Sequence, residues 1–175
     1  PLSNEVNIGI GTFIDNKNST SVNQILKSFI PDLGFEPSEV IGQEAQLRVW
    51  NGHHNIQGEG ILVVGDAASL CDPFLAEGLR PAIMSGFEAA SSLNQWLRGE
   101  TGSLASYTQT MKKHWGESMA WGKRISQVFY RFPKVGYQLG VKRPTAPKRI
   151  GQILSGEMSY EDIAKRVIKR LLFKN

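Results

Sequence analysis

Cysteine is all but missing from this chain. Cys71 stands alone, which excludes an internal disulfide framework and leans mildly towards a reducing compartment. Long apolar runs are missing too. The longest, Ile-Leu-Val-Val at 61–64, falls far short of the ~20 residues a membrane-spanning helix requires. Histidine is scarce: His53 and His54 are neighbours that point apart if extended, poor geometry for a metal, and His114 reads as a helix-surface residue. No metal site is expected. Nothing at the amino end resembles a secretory signal, so a cytoplasmic location is expected. There is no internal repeat, no low-complexity tract and no nucleic-acid recognition motif. What remains is ordinary globular composition over 175 residues, 41% apolar and 21% charged. A chain of that length can bury ~70% of its unfolded surface.

Charge is unevenly distributed. Residues 1–98 carry five basic and eleven acidic side chains, a balance of −6, and residues 99–175 carry fifteen and five, a balance of +10. The net +4 therefore hides an acidic half joined to a strongly basic one. The basic half suits an anionic membrane, nucleic acid or a cofactor's phosphates.

Alternation over 6–10 predicts a strand almost at once, without an initiator Met, as though the chain begins inside a larger fold. A turn is expected over 15–19, with Ser19 or Thr20 capping a helix. On that helix Val22, Ile25, Leu26, Phe29 and Ile30 share a face, and Pro31 ends it. A second strand region is expected over 40–49, then a polar loop over 51–58. Residues 60–64 read as a buried strand delivering Asp66 at its carboxyl end, where open α/β sheets place ligands. A loop containing Pro73 leads to a helix over 79–98, capped by Gly99. Its expected buried face includes Ala82, Ile83, Gly86, Ala89, Ala90, Leu93, Trp96 and Leu97. From 103 the pattern predicts one long aromatic-rich helix ending near Pro133, with its aromatic series, Tyr107 to Tyr137, in the core. Residues 142–149, with two prolines and four basic residues, read as a loop or a short helical turn. Ser159-Tyr160-Glu161-Asp162 reads as a capping box opening a final basic helix.

The chemistry centres on Asp66, twelve residues ahead of Gly78. A helix amino terminus offers unpaired N–H groups and about half a positive charge, a site for an anion or an electron-rich carbonyl. Asp66 is an acceptor suited to a polyol hydroxyl. A flavin nucleotide presents both features: a ribityl chain for Asp66, and an N1–C2=O edge, negative on reduction, for the helix start. Taken alone, Asp66 also reads as a turn-forming residue, Glu77 as a first-turn acid and Cys71 as a small buried one.

Gly65-Asp66-Ala67-Ala68, Asp72-Pro73, Glu77-Gly78-Leu79, Ala82 and Ser85-Gly86 together resemble the second flavin motif of the FAD-dependent oxidoreductases related to para-hydroxybenzoate hydroxylase. The Asp-Pro and Glu-Gly words look most like the geranylgeranyl reductase group. The resemblance implies that Asp66 binds the ribityl chain and that Gly65 belongs to the cofactor-binding set. It implies that Pro73 and Gly78 pass close to the isoalloxazine, that the Gly78 and Leu79 amides face its pyrimidine, and that Glu77 belongs to the cofactor-binding set. It also implies a fold: an α+β piece of a two-domain FAD-dependent enzyme. Residues 1–58 would form part of an antiparallel substrate-domain sheet, 59–98 a flavin-contacting strand, loop and long helix, and 99–175 a helical carboxyl-terminal tail. The implied reaction takes hydride from a reduced nicotinamide onto FAD and delivers it to a carbon–carbon double bond of a prenyl or other apolar substrate. No catalytic proton donor is assigned.

Two departures stand out. Leu75 occupies a position where the family often has glycine, narrowing the site or altering the turn. Arg80 puts a cation at the helix start, sensible beside a flavin or substrate anion. The ADP-binding G-x-G-x-x-G is absent, since Gly9-Ile10-Gly11 lacks the third glycine. The chain thus resembles the carboxyl-terminal half of a longer enzyme, and by itself is expected to bind FAD weakly or not at all. Two other functions fit the same residues. One is an aromatic monooxygenase or halogenase on the same scaffold. The other is a non-catalytic module whose basic tail docks on a partner or makes peripheral contact with a membrane. Nucleic acid is not expected as a partner.

Overall fold

The computed structural model describes residues 8–11, 22–36 and 45–173. The expected turn at 15–19, the cap at Ser19 or Thr20, and most of both early strands lie outside them. The chain divides into two compact units, Pro1–Ala45 and Gln46–Asn175. It is a mixed α+β chain, mostly helical.

In the first unit, α1 (Val22–Phe29) carries the expected periodic face and gives way to a 3-10 turn, Pro31–Leu33. Pro31 lacks the N–H that a continuing helix would use. Gly34, at φ +82°, closes the turn by donating to the Pro31 carbonyl. Ile30 is buried, whereas Ile25 and Phe29 stay half exposed. Residues 8–11 are irregular.

The second unit begins without the expected strand. Leu47 is exposed, and only Val49 pairs, in a parallel bridge to Cys71 with Trp50 N–H donating to the Cys71 carbonyl at 2.8 Å. Among the described residues the sheet is one antiparallel hairpin, β1 (Gln57–Gly58) with β2 (Ile61–Leu62), in register Gln57 to Leu62. The expected buried strand over 60–64 is therefore short and half open. β2 has a neighbour on one side only, and Ile61 and Val64 remain exposed. The Val63 carbonyl is taken instead by the hydroxyl of Tyr107, at 2.8 Å.

Helices supply the rest: α2 (Leu79–Leu97), α3 (Ala105–Met111), α4 (Glu117–Arg131), α5 (Pro133–Gly136), α6 (Ala146–Ser155) and α7 (Tyr160–Leu172). Gly99, at φ +72°, ends α2 as expected. The predicted long helix from 103 is instead two, joined by a π turn at Lys112–Gly116. At that wide turn the His53 ring lies directly against Gly116 and meets Trp50 edge-on. Backbone geometry changes at Phe132, just before Pro133, and α5 folds back so that the Phe129 ring rests on Gly136. α6 extends well beyond the short turn expected there, because Pro147 falls in its first turn, where no N–H is needed. The capping box forms: Asp162 N–H donates to Ser159 Oγ, and Ser159 N–H to Asp162 Oδ2. Such a cap contributes about 1 kcal/mol.

One core joins Ile56, Ala68, Leu70, Ala89, Met111 and the wholly buried Tyr107. Burying a side chain of this size stabilises by roughly 1.5–3 kcal/mol. The face of α2 that reaches this core shares Ala89 with the expected one but is otherwise different. Pro81, Ser85, Ala89 and Ser92 are buried, while Ile83, Phe87 and Leu97 are exposed. The small face wins because the chain before α2 approaches it too closely for larger side chains. The aromatic series also divides: Tyr107 is core, but Tyr130, Phe132 and Tyr137 are exposed.

Candidate functional site

The site begins where β2 ends. Gly65 adopts φ +56° and opens a 3-10 turn, Gly65–Ala68. A Cβ on Gly65 would sit 3.1 Å from that of Ala82, so only glycine lets this turn press onto α2. Gly65 N–H donates to Ser85 Oγ at 2.9 Å, and the Ser85 hydroxyl donates to the Ala82 carbonyl at 3.0 Å. Gly65, Ala82 and Ser85 thus form one strand-to-helix clasp. Gly86 faces open space.

The clasp delivers Asp66 to the amino terminus of α2. A Cβ on Gly78, the N-cap residue, would lie 2.7 Å from Asp66 Oδ1. Asp66 is exposed, and its carboxylate has no hydrogen-bond or ion-pair partner among the described residues. The Gly78 and Leu79 amides likewise donate to nothing among the described residues. An unpaired acceptor therefore lies beside unpaired donors at the positive end of a 19-residue helix. Hydroxyls suit the first group and an electron-rich carbonyl suits the second.

The loop between these points is wound around Asp72. This side chain is buried, and its Oδ1 accepts the Phe74 and Leu75 amides, both at 2.7 Å. Asp72 N–H donates to the Glu77 carbonyl, and Ala76 N–H to the Asp72 carbonyl. Ala76 sits at φ +54° within this turn. The Tyr160 hydroxyl donates to Asp72 Oδ2 at 2.7 Å. Burial, then the Asp72 charge, push the Tyr160 phenol far above its ordinary range, so it remains a donor. The Tyr160 ring fills the space over Gly122, where a Cβ would be 2.8 Å away, and Pro73 is buried against the same glycine. Phe74 completes the cluster, edge-on to Phe129, Tyr130 and Tyr160.

The remaining motif residues have local partners. Glu77 Oε1 accepts Arg80 N–H at 2.8 Å, capping α2 where Gly78 offers no side chain. Leu79 points into solvent at 73% exposure. Leu75 takes part through its amide. Arg80 is the second residue of α2, at the helix start as expected. Its guanidinium stacks on Trp115, 4.7 Å from the ring centroid, and lies against Gly156, an attraction stronger than anything the like-signed helix end provides. Cys71 is buried, and its thiol is pushed up to about 11 by burial and then by the charges of Asp66, Asp72 and Glu77, so it stays protonated and unreactive at neutral pH.

Gly65, Asp66, Gly78 and Leu79 come together at one point, with Glu77 behind them; Pro73 faces α4. Sequence reasoning missed Tyr160 and Gly122. The capping box marked where α7 starts but carried no sign that its first residue reaches a loop 88 positions earlier. Comparison with protein-family models, curated proteins and solved structures finds no match for this chain.

Proposed function

We propose that this chain supplies the ribityl- and pyrimidine-binding part of an FAD-dependent oxidoreductase, resembling geranylgeranyl reductases and acting on a carbon–carbon double bond of a prenyl or other apolar substrate. The observation that carries the reading is the unpartnered Asp66 carboxylate held against Gly78 beside free amides. These residues fit a flavin: Asp66 accepts from ribityl hydroxyls, and the Gly78 and Leu79 amides donate to the pyrimidine carbonyl edge. The missing side chain of Gly78 lets the ligand approach. When bound, FAD supplies hydride transfer from a reduced nicotinamide to the substrate. The helix end then stabilises the negative charge that reduction places on that edge, favouring the reduced form. Glu77 keeps the first turn of α2 closed, and the Asp72 loop fixes Gly78 in place. The ADP half of the cofactor requires a fingerprint that this sequence does not contain.

The test is flavin content. FAD is added to this chain together with a polypeptide carrying the ADP-binding fingerprint, and the visible absorbance of the purified complex is recorded. Bound flavin is expected, with affinity at least tenfold weaker in Asp66→Ala, the loss of a charge-assisted hydrogen bond of about 1.5–3 kcal/mol. No flavin in the folded complex would refute the oxidoreductase reading and leave the binding-module one. Oxygenation of an aromatic substrate by the reduced complex, without alkene reduction, would move it to the monooxygenases.

A further inference from the structure

A half-open groove of about 410 Å³ runs along α7, with Arg149 of α6 at its edge, within the size range of small-molecule sites and built from none of the flavin-motif residues. Gly156, at φ +81°, turns the chain between the two helices, and the capping box sets the direction of α7. Met158, Ile163, Val167 and Phe173 line the groove with apolar surface, while Arg149, Arg166 and Lys169 bring three cations to it. Arg166 lies close enough to Asp162 to interact with its charge. Arg149 and Lys169 have no ion-pair partner among the described residues.

The geometry points to a seat for one phospholipid of an anionic bilayer, with its phosphate at Arg149 and Lys169 and the start of its acyl chains on Val167, Met158 and Phe173. An inorganic anion would leave the apolar lining wet, and an apolar peptide would leave the cations unopposed. A lipid satisfies both. The neighbouring segment agrees. No carboxylate occurs from 118 to 156, whereas Arg131, Lys134, Lys142 and Arg143 fall within it. The same stretch exposes Phe132, Val135, Tyr137 and Val141. Aromatic side chains and cations together suit the headgroup layer of a membrane, and the turn that carries Tyr137 and Val141 packs on α6. The exposed apolar stripe on α2 has no comparable run of cations. This inference stands apart from the flavin reading and holds or fails without it.

Co-sedimentation of the full chain with vesicles of phosphatidylcholine or phosphatidylglycerol tests the seat. Salt-sensitive binding to phosphatidylglycerol alone is expected, weakened about fivefold by each of Arg149→Gln and Lys169→Gln. Val167→Ser should weaken it about threefold, through the lining rather than the charge. Arg98→Gln, at the far end of α2, should bind as wild type. Circular dichroism verifies that each variant is folded. Four outcomes would overturn the proposal: no preference for phosphatidylglycerol, an equal loss in Arg98→Gln, wild-type binding by the groove variants, or release by inorganic phosphate beyond that of chloride at matched ionic strength. Stronger binding to a single-stranded oligonucleotide than to the vesicles would do the same.

Discussion

Asp66 and Asp72 lie six positions apart, and they behave as different residues. Asp72 is 6% exposed and takes three donors, two amides and the Tyr160 hydroxyl. Asp66 is exposed and takes none among the described residues, although the N-cap of α2 lies beside it. A buried carboxylate without donors costs several kcal/mol, so Asp72 persists only because the loop and α7 close around it. An exposed carboxylate needs no partner within the protein and keeps its acceptor capacity for a ligand. The comparison separates a fastener from an open carboxylate within one short segment.

The largest expected effect falls on the fastener. Asp72→Ala leaves two amides and a buried phenol unpaired and should cost roughly 3–5 kcal/mol in urea unfolding, whereas Asp66→Ala should change stability by no more than about 0.5 kcal/mol. Equal costs would break the comparison. Next comes Tyr160→Phe, which removes one donor from the buried carboxylate and should cost about 1.5–3 kcal/mol. In a double-mutant cycle with Asp72→Asn the two changes should couple rather than add, because they share one hydrogen bond. A smaller effect is expected at Cys71, against the same turn. Its thiol is raised from 9.0 to about 11. The folded chain therefore favours the protonated form, and its contribution is intact below pH ~9 and lost as pH rises through ~11. Wild type should lose about 1–2 kcal/mol over that window that Cys71→Ala does not lose, as read by unfolding at each pH. Gly78→Ala should also cost little in stability. The new methyl meets the tip of an exposed, rotatable side chain, so the cost should stay within about 1 kcal/mol. The displaced Asp66 carboxylate should nonetheless lower FAD affinity about tenfold; unchanged affinity would show that the closeness of Asp66 and Gly78 has no bearing on binding.

Several of the features legible in the sequence rest on local physics. Gly99 ends α2, Pro31 ends α1, the chain changes direction beside Pro133, and Ser159 and Asp162 form their box. Each depends on dihedral preference or on a hydrogen bond between near neighbours. The failures were of another kind. Apolar periodicity placed Ile83 and Leu97 on the buried face of α2, but Gly65 pressing against Ala82 and Ser85 selected the small face instead. Arg80 sits at the helix start as expected, but its aromatic partner, Trp115, comes from another element. The exposed half of the aromatic series follows the same rule, since periodicity marks surface that ought to be covered without naming what covers it.

The candidate site divides along the same line. Asp66, Gly78 and the helix that begins behind them were legible from residue type and spacing alone, because a helix start and a turn glycine are properties of a few consecutive residues. Two local amides already hold Asp72, and Tyr160 closes the fold over it as a third donor, while Asp66 stays exposed. Tyr160 arrives from 88 positions further along, on a helix whose own sequence specifies only where it starts. Hydrogen bonds across such distances depend on how helices pack, and packing depends on the whole chain at once.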